Sequence, residues 1–421
     1  MSIFKSIFKR IGSHDRSSIS TINSLSNNLR KEEPVFIDTS DTALNFSEGE
    51  AYNFHKSLPG YNPTDLINLK SLSKKIGISD CFVKDESKRL GLNAFKVLGA
   101  SFAMAKTIQS VLIHNDYGAM FLTNPNALNF DLIKEMHKEI KDLTFVTATD
   151  GNHGRAVAWC AEKFGCKAVI YMPKGSSRFR LESILSHGAR AEITELNYDE
   201  TVRYAAQKAE KNDWKLLQDT SWSSYELVAK NIMIGYQTIL SEFVEQGEEI
   251  PTHVIAQAGV GSYAASIFDG FSRLDEPSRP KLILLEPSGA ACFFNSARIG
   301  DGKPHLTRKL DTIMAGLSCG MPSKIAWETI ISVTDKFITC DDSITEKGMR
   351  LLANPTGGDT RIISGESGAL PLGFLHEVCT NKAFKEIKED LEFNSSSKVF
   401  FISTEGDTDP ELYNKIISRT K

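Results

Sequence analysis

Lys96 stands directly after Phe95, at the head of an apolar helix-like run from Val97 to Val111, in the stretch Gly91-Leu92-Asn93-Ala94-Phe95-Lys96-Val97-Leu98-Gly99. A lysine at the buried start of a helix loses hydration, so its charge must be paired or its pKa must fall. A depressed pKa exposes the free amine that condenses with carbonyl compounds to a Schiff base. Most lysines are solvated, so this one gains meaning only from its company.

Gly259-Val260-Gly261-Ser262 lies between a strand-like run, Thr252 to Gln257, and a helix-like run through Phe271. Two glycines let backbone N–H groups approach a phosphate, and the helix dipole favours an anion there. The turn lacks the third glycine of a dinucleotide fingerprint and the Gly-Lys-Ser/Thr of a P-loop, so it suits a single phosphate better than a nicotinamide dinucleotide or ATP. A glycine turn kept for packing is equally compatible.

Thr149-Asp150-Gly151-Asn152-His153-Gly154 opens another helix. Its amides suit a carboxylate, and Asn152 suits a ring hydroxyl. Asp150 would be repelled by a bound anion unless it has catalytic or cation-binding work; the simpler role is a helix cap. His153 reads as structural. Asp219, in Gln218-Asp219-Thr220, offers a second carboxylate at a strand end, with a turn or cap as its simpler role.

Lys84, Lys88 and Arg89 read as a solvated charge run. Glu286 and Glu366 read as pocket-lining or surface acids. The histidines show no metal-binding spacing, and no metal is expected.

The elements that must position these residues alternate strand, loop and helix. Strand patterns fall at 81–84, 143–147, 168–172, 191–194, 215–217, 252–257, 281–285 and 398–402. This is the signature of parallel sheets with right-handed crossovers, which bind ligands at the loops after the strands. The pattern also predicts one long helix from Tyr225 to Gln246, an irregular insertion over 115–129 and a loop-rich region over 288–325.

A chain of 421 residues exceeds one simple core and implies two domains or one α/β body with a mobile lobe. A net charge of −4 gives no general attraction to nucleic acid or anionic membrane. No apolar run approaches the ~18 residues that span a bilayer. Seven cysteines, an odd number without a CxxC, fit a reducing cytoplasm. Cys292 and Cys319 are left open as a pair that could meet in space. The first ~30 residues, basic and mildly amphipathic from Met1 to Gly12 and rich in Ser and Asn from Ser13 to Asn28, read as a frayed extension, with a targeting peptide or a surface-lying helix as the alternative.

The motifs then add up. G-L-N-A-F-K-x-L-G, T-D-G-N-H-G-R, Y-M-P-K-G, Q-D-T-x-W, Q-A-G-V-G, T-I-M-A-G-L-x-C-G, R-I-I-S-G-E-S-G-A and S-T-E-G-D-T-D run in order between Tyr52 and Asp409. This set resembles the diaminopropionate ammonia-lyases, pyridoxal-phosphate enzymes of the fold shared with tryptophan synthase β and threonine dehydratase. The resemblance implies fold type II: an α/β protein of two domains, with mostly parallel twisted sheets flanked by helices. Residues 1–45 would be a poorly ordered extension, 46–96 and 246–421 the cofactor domain, and 97–245 a smaller mobile domain. Lys96 would carry pyridoxal 5'-phosphate, Asn152 would contact its ring oxygen, and Gly259, Val260, Gly261 and Ser262 would hold its phosphate. Ser403 or Thr404 would meet the pyridine nitrogen. Lys96, Asp150 and Asp219 would be catalytic, in an α,β-elimination that turns 2,3-diaminopropionate into pyruvate and ammonia. A homodimer is also implied. The rival activities are a serine, threonine or cysteine dehydratase or lyase on the same scaffold, or a cofactor-binding protein without catalysis.

Overall fold

The computed structural model describes residues 20–37, 49–123, 128–149, 151–247 and 249–419. Two sheets organise them. The larger has seven strands in the order β1-β10-β9-β8-β11-β3-β2 and the smaller has four in the order β6-β5-β4-β7. The strands are β1 (Ile22–Ser26), β2 (Leu66–Asn68), β3 (Asp80–Asp85), β4 (Thr144–Ala148), β5 (Lys167–Met172), β6 (Arg190–Ile193), β7 (Lys215–Leu216), β8 (His253–Gln257), β9 (Lys281–Pro287), β10 (Lys336–Cys340) and β11 (Lys398–Ser403). All pairings are parallel except β1 with β10 and β2 with β3, at the two edges of the larger sheet.

The larger sheet is buried on both faces, as parallel sheets must be. Alternate residues divide between two cores: Phe82, Leu282, Leu284, Phe400 and Ile402 on one side, Cys81, Val83, Ile283, Leu285, Val399 and Phe401 on the other. The first core runs on without a break to Phe145, Ile170 and Met172 of the smaller sheet. The helix Lys96–Leu112 lies between, packed on the helices Asn152–Phe164 and Leu227–Tyr236. Small residues allow the closest approach: a Cβ on Gly235 would lie 2.5 Å from the Leu98 carbonyl oxygen. By length and composition this helix, extended to Asn115, could cross a membrane, contrary to the sequence expectation, but most of it is buried inside the protein.

Three other expectations change. Within the supposed extension, Ile22–Ser26 forms an edge strand in register with Cys340–Lys336. Its Ser/Asn composition conceals this, because backbone hydrogen bonds and Asn27 do the anchoring: Asn27 Nδ2 donates to the Ile331 and Thr334 carbonyls, each at 2.8 Å. Residues 1–19 and 38–45 lie outside the described residues. The long helix breaks at Gln237 into Leu227–Tyr236 and Thr238–Glu245, because the Gln237 N–H reaches back three residues to Ile234 instead of four. The insertion is helical as far as Thr123.

Candidate active site

The C-terminal ends of β3, β4, β7, β8 and β11 feed loops toward one cavity of about 510 Å³ between the two sheets. Such strand ends are where parallel α/β proteins bind ligands, since helix N-termini follow them. Phe95, Lys96, Asn152, Asp219, the 257–264 segment and Thr404 all line it.

Lys96 is the first residue of its helix. The loop before it turns through left-handed backbone at Leu90 (φ 48) and Asn93 (φ 55). It is then stitched to the end of β11: Phe95 N–H donates to the Thr404 carbonyl at 3.2 Å, and Gly406 N–H to the Asn93 carbonyl at 2.9 Å. The Phe95 ring packs against Tyr236 and Tyr263, with centroids 4.7 and 4.9 Å away. The amine is thereby aimed into the cavity, where Nζ donates to Asp219 Oδ2 at 2.6 Å.

Asp219 is seated by its neighbour. Gln218 Oε1 accepts the Ala148 N–H at 2.9 Å and its Nε2 donates to the Ala148 carbonyl at 3.1 Å, extending the β4–β7 edge through a side chain. Burial alone would raise the Asp219 carboxyl, but the charges of Lys96 and His153 outweigh it and hold the group down at about 2. His153 Nε2 donates to the Leu217 carbonyl at 2.8 Å, and Nδ1 sits 4.0 Å from Asp219 Oδ2. It therefore has an electrostatic contact as well as its structural bond.

The two-glycine turn stands across the cavity. Gly261 is left-handed (φ 92) at the N-terminus of the helix Ser262–Ser272. A Cβ there would fall 2.3 Å from the Phe293 ring, and one on Gly259 would fall 2.9 Å from the Gly316 carbonyl oxygen. Among the described residues, no acceptor bonds the backbone N–H groups of Gly259, Val260 and Gly261. Three free donors at a helix N-terminus form an anion cradle. The Ser262 hydroxyl donates to the Asp219 carbonyl at 2.6 Å, so it ties the turn to the Asp219 loop.

Asn152 begins the helix Asn152–Phe164, and its Nδ2 donates to Glu405 Oε2 at 2.5 Å. Asp150 lies outside the described residues. Thr404 lines the cavity, and its hydroxyl accepts from Gln257 Nε2 at 3.0 Å. Ser403 does not line the cavity; its hydroxyl is bonded to Ser364 Oγ at 2.8 Å, because alternate residues of a strand point to opposite faces.

The charge run departs from its expectation. Lys84 and Arg89 are fully buried and paired with Glu86 and Glu242, while Lys88 stays in solvent. Glu242, 153 residues from Arg89, together with the local Glu86 replaces the water that a charge run would need. Glu286 and Glu366 are both buried and neither lines the cavity. Glu286 accepts the N–H groups of Phe293 and Phe294 at 2.8 and 2.7 Å, and burial pushes its carboxyl up to about 8. Burial, then the charge of Glu405, pushes Glu366 up to about 7. All seven cysteines, Cys292 and Cys319 included, carry free thiols.

Glu405, Gln257, Ser367 and the 312–319 segment also line the cavity but escape sequence reading as site residues. Glu405 was findable from its place just past a strand end. Ser367 and 312–319 follow no strand in the sequence pattern.

An amine beside a carboxylate, facing an anion cradle across one cavity, is what an enzyme needs to carry an aldehyde cofactor that bears a phosphate. The family model described as pyridoxal-phosphate dependent enzyme matches residues 58–402, and the chain belongs to that class. Diaminopropionate ammonia-lyase of Salmonella typhimurium is 48% identical over 374 residues, covering 87% of this chain and 91% of that one. Its Escherichia coli counterpart is 42% identical over 383 residues, covering 90% and 93%. The crystal structure of the Escherichia coli enzyme in complex with an aminoacrylate-PLP azomethine reaction intermediate superimposes with a TM-score of 0.84 at 39% identity, covering 95% of this chain and 97% of that one. Threonine deaminase isoform 2 from Solanum lycopersicum, at 18% identity and a TM-score of 0.67, shares the fold. Within its class, this chain is a member of the diaminopropionate ammonia-lyase family.

The cavity fits pyridoxal phosphate. Besides the free amides, Gln257 Oε1 and Ser367 Oγ are buried in its wall with no hydrogen-bond partner among the described residues. Buried polar atoms left this way await a ligand.

Proposed function

We propose that this chain catalyses the pyridoxal-phosphate-dependent α,β-elimination of 2,3-diaminopropionate, releasing pyruvate and ammonia. The observation that carries the reading is Lys96 Nζ, 2.6 Å from Asp219 Oδ2, in a cavity shared with the two-glycine turn and Asn152. Pyridoxal phosphate, when bound, supplies an electron sink for the pair left at the α-carbon. Gly259, Val260, Gly261 and Ser262 hold the phosphate by backbone N–H groups, and Asn152 faces the ring oxygen. The Thr404 hydroxyl, its acceptor role taken by Gln257, keeps its proton to donate to the pyridine nitrogen. Thr404 is therefore favoured over Ser403.

Lys96 Nζ holds the cofactor at rest and, when free, is the base for the α-proton. Asp219 orients that amine and sets a negative charge where the β-amino group departs. An amine leaves as its ammonium form, so a carboxylate here favours a diamine over a hydroxy amino acid. Asp150, assigned from the sequence alone, would serve as a second base, and two bases would admit both D and L isomers. The rest of the diamine hydrolyses to pyruvate and a second ammonia.

The test is pyruvate formation from 2,3-diaminopropionate against serine at equal concentration. Faster turnover of the diamine is expected; much faster turnover of serine would replace this reading with a hydroxy-amino-acid dehydratase.

The residues 97–245, which hold all four strands of the smaller sheet, are read as the lobe that closes over substrate. The free thiols are consistent with action in the cytoplasm. The chain is read as a homodimer. Exposed Leu227, Leu306 and Met321 are apolar surface that a second chain would cover. Sedimentation should give the mass of two chains.

A further inference from the structure

Glu405 is a buried carboxylate that the reaction as derived above does not use. Its backbone forms a bridge with Ala94, two residues before Lys96. Its side chain spans the cavity wall: Oε1 accepts the Ser367 N–H at 3.0 Å, and Oε2 accepts Asn152 Nδ2 at 2.5 Å. One residue thus touches the lysine loop, the start of the helix Glu366–Thr380 and the asparagine loop of the other sheet.

The chemistry of the Asn152 contact is one-sided. A carboxamide has an oxygen face and a nitrogen face of nearly equal shape. The Glu405 oxygen accepts here, so it selects the nitrogen face. The second hydrogen of Nδ2 remains to face the cavity that Asn152 lines. Without the carboxylate, the amide could turn its oxygen inward, where an oxygen of the cofactor ring would repel it.

We propose that Glu405 is a positioning residue: its carboxylate locks the Asn152 carboxamide with the nitrogen toward the cavity and so sets how tightly the site holds pyridoxal phosphate. The inference rests on the reading of Asn152 as a cofactor-facing group, and the experiment keeps the two apart. The measurement is the equilibrium dissociation constant of pyridoxal phosphate from the full-length protein, followed by absorbance, for wild type, Asn152→Ala, Glu405→Gln and the double variant. Glu405→Gln should weaken binding about tenfold in the wild-type background, as expected for loss of a charged supporting hydrogen bond, and hardly at all in the Asn152→Ala background. Equal weakening in both backgrounds would overturn the proposal, since the effect would then come from the Ser367 contact or from general loss of structure. If Asn152→Ala by itself binds as wild type, the reading of Asn152 fails first, and this inference with it. Should Glu405→Gln not fold, Glu405→Asp keeps the charge but shortens the reach, and the same cycle with that variant decides the matter by the same criterion.

Discussion

Two of the buried clusters of cation and carboxylate in this molecule are built differently. Around Arg89, every charge is answered several times over. Its Nε and Nη2 donate to Glu86 at 2.8 and 2.7 Å, and its Nη1 and Nη2 donate to Glu242 at 2.6 and 2.8 Å. Lys84 adds bonds to the Thr64 carbonyl and Gln246 Oε1, and Tyr61 OH donates to Glu242 at 2.6 Å. In the cavity, by contrast, Lys96 meets Asp219 beside three free amides and two unpartnered polar side-chain atoms. The closed cluster is a scaffold that braces the loop leading to Lys96. The open one is the candidate site. Burial of charge is common to both; the incomplete hydrogen bonding around the second leaves groups to bind a ligand.

This contrast can be broken or sharpened by substitution. The largest effect is expected from Lys96→Ala, which should lower kcat by about 10³-fold or more and abolish the visible absorbance of bound cofactor, with a smaller loss of stability because Asp219 loses its partner. Arg89→Met should do the reverse. Leaving Glu86 and Glu242 buried without their partner should cost about 3–5 kcal/mol in urea unfolding, while the folded fraction keeps its kcat. A normal stability with a collapsed kcat would show that the Arg89 cluster is more than a brace.

Asp219→Asn should lower kcat about 10²-fold with cofactor still bound. Activity within twofold of wild type would remove Asp219 from the chemistry. The smallest effect is in acid. Asp219 is held at about 2, below its usual value near 3.8, so the folded state keeps it ionised. Its stabilisation is full above about pH 5 and is lost as pH falls toward 2, at about 2–3 kcal/mol in all. Glu242 is also held low: burial raises it, but Arg89 and Lys84 prevail, so it adds to the same loss with the same sign. The stability profile of Asp219→Asn should be flatter between pH 5 and 2 than that of wild type; identical slopes would mean that the Lys96 pair does not hold the carboxyl down.

Much of the site is legible in the chain. The two-glycine turn and the Asn-His turn each sit where a strand pattern ends, so their place at one end of a sheet follows from local periodicity, while the lysine is marked by its place at a helix start. Lys84 and Arg89 depart from their sequence expectation for the opposite reason. A run of cations looks solvated until a partner appears, and Glu242 is 153 residues from Arg89. Ser403 and Thr404 are not told apart in sequence, being the last residue of a strand and the one after it. Only the face that each presents separates them, and that depends on register.

The sequence by itself determined the kinds of chemistry available: an amine at the start of an apolar helix, backbone donors free of side chains, and carboxylates near the ends of strands. It did so because residue type, turn propensity and period are properties of short stretches. Tertiary structure alone decided that Lys96 meets Asp219 across 123 residues, that Glu405 meets Asn152 across 253, and that the Ser262 hydroxyl faces the Asp219 carbonyl. Those contacts depend on strand order in two sheets and on how closely the helix Lys96–Leu112 nests between them, which are set by packing over the whole core and not by any local run of residues.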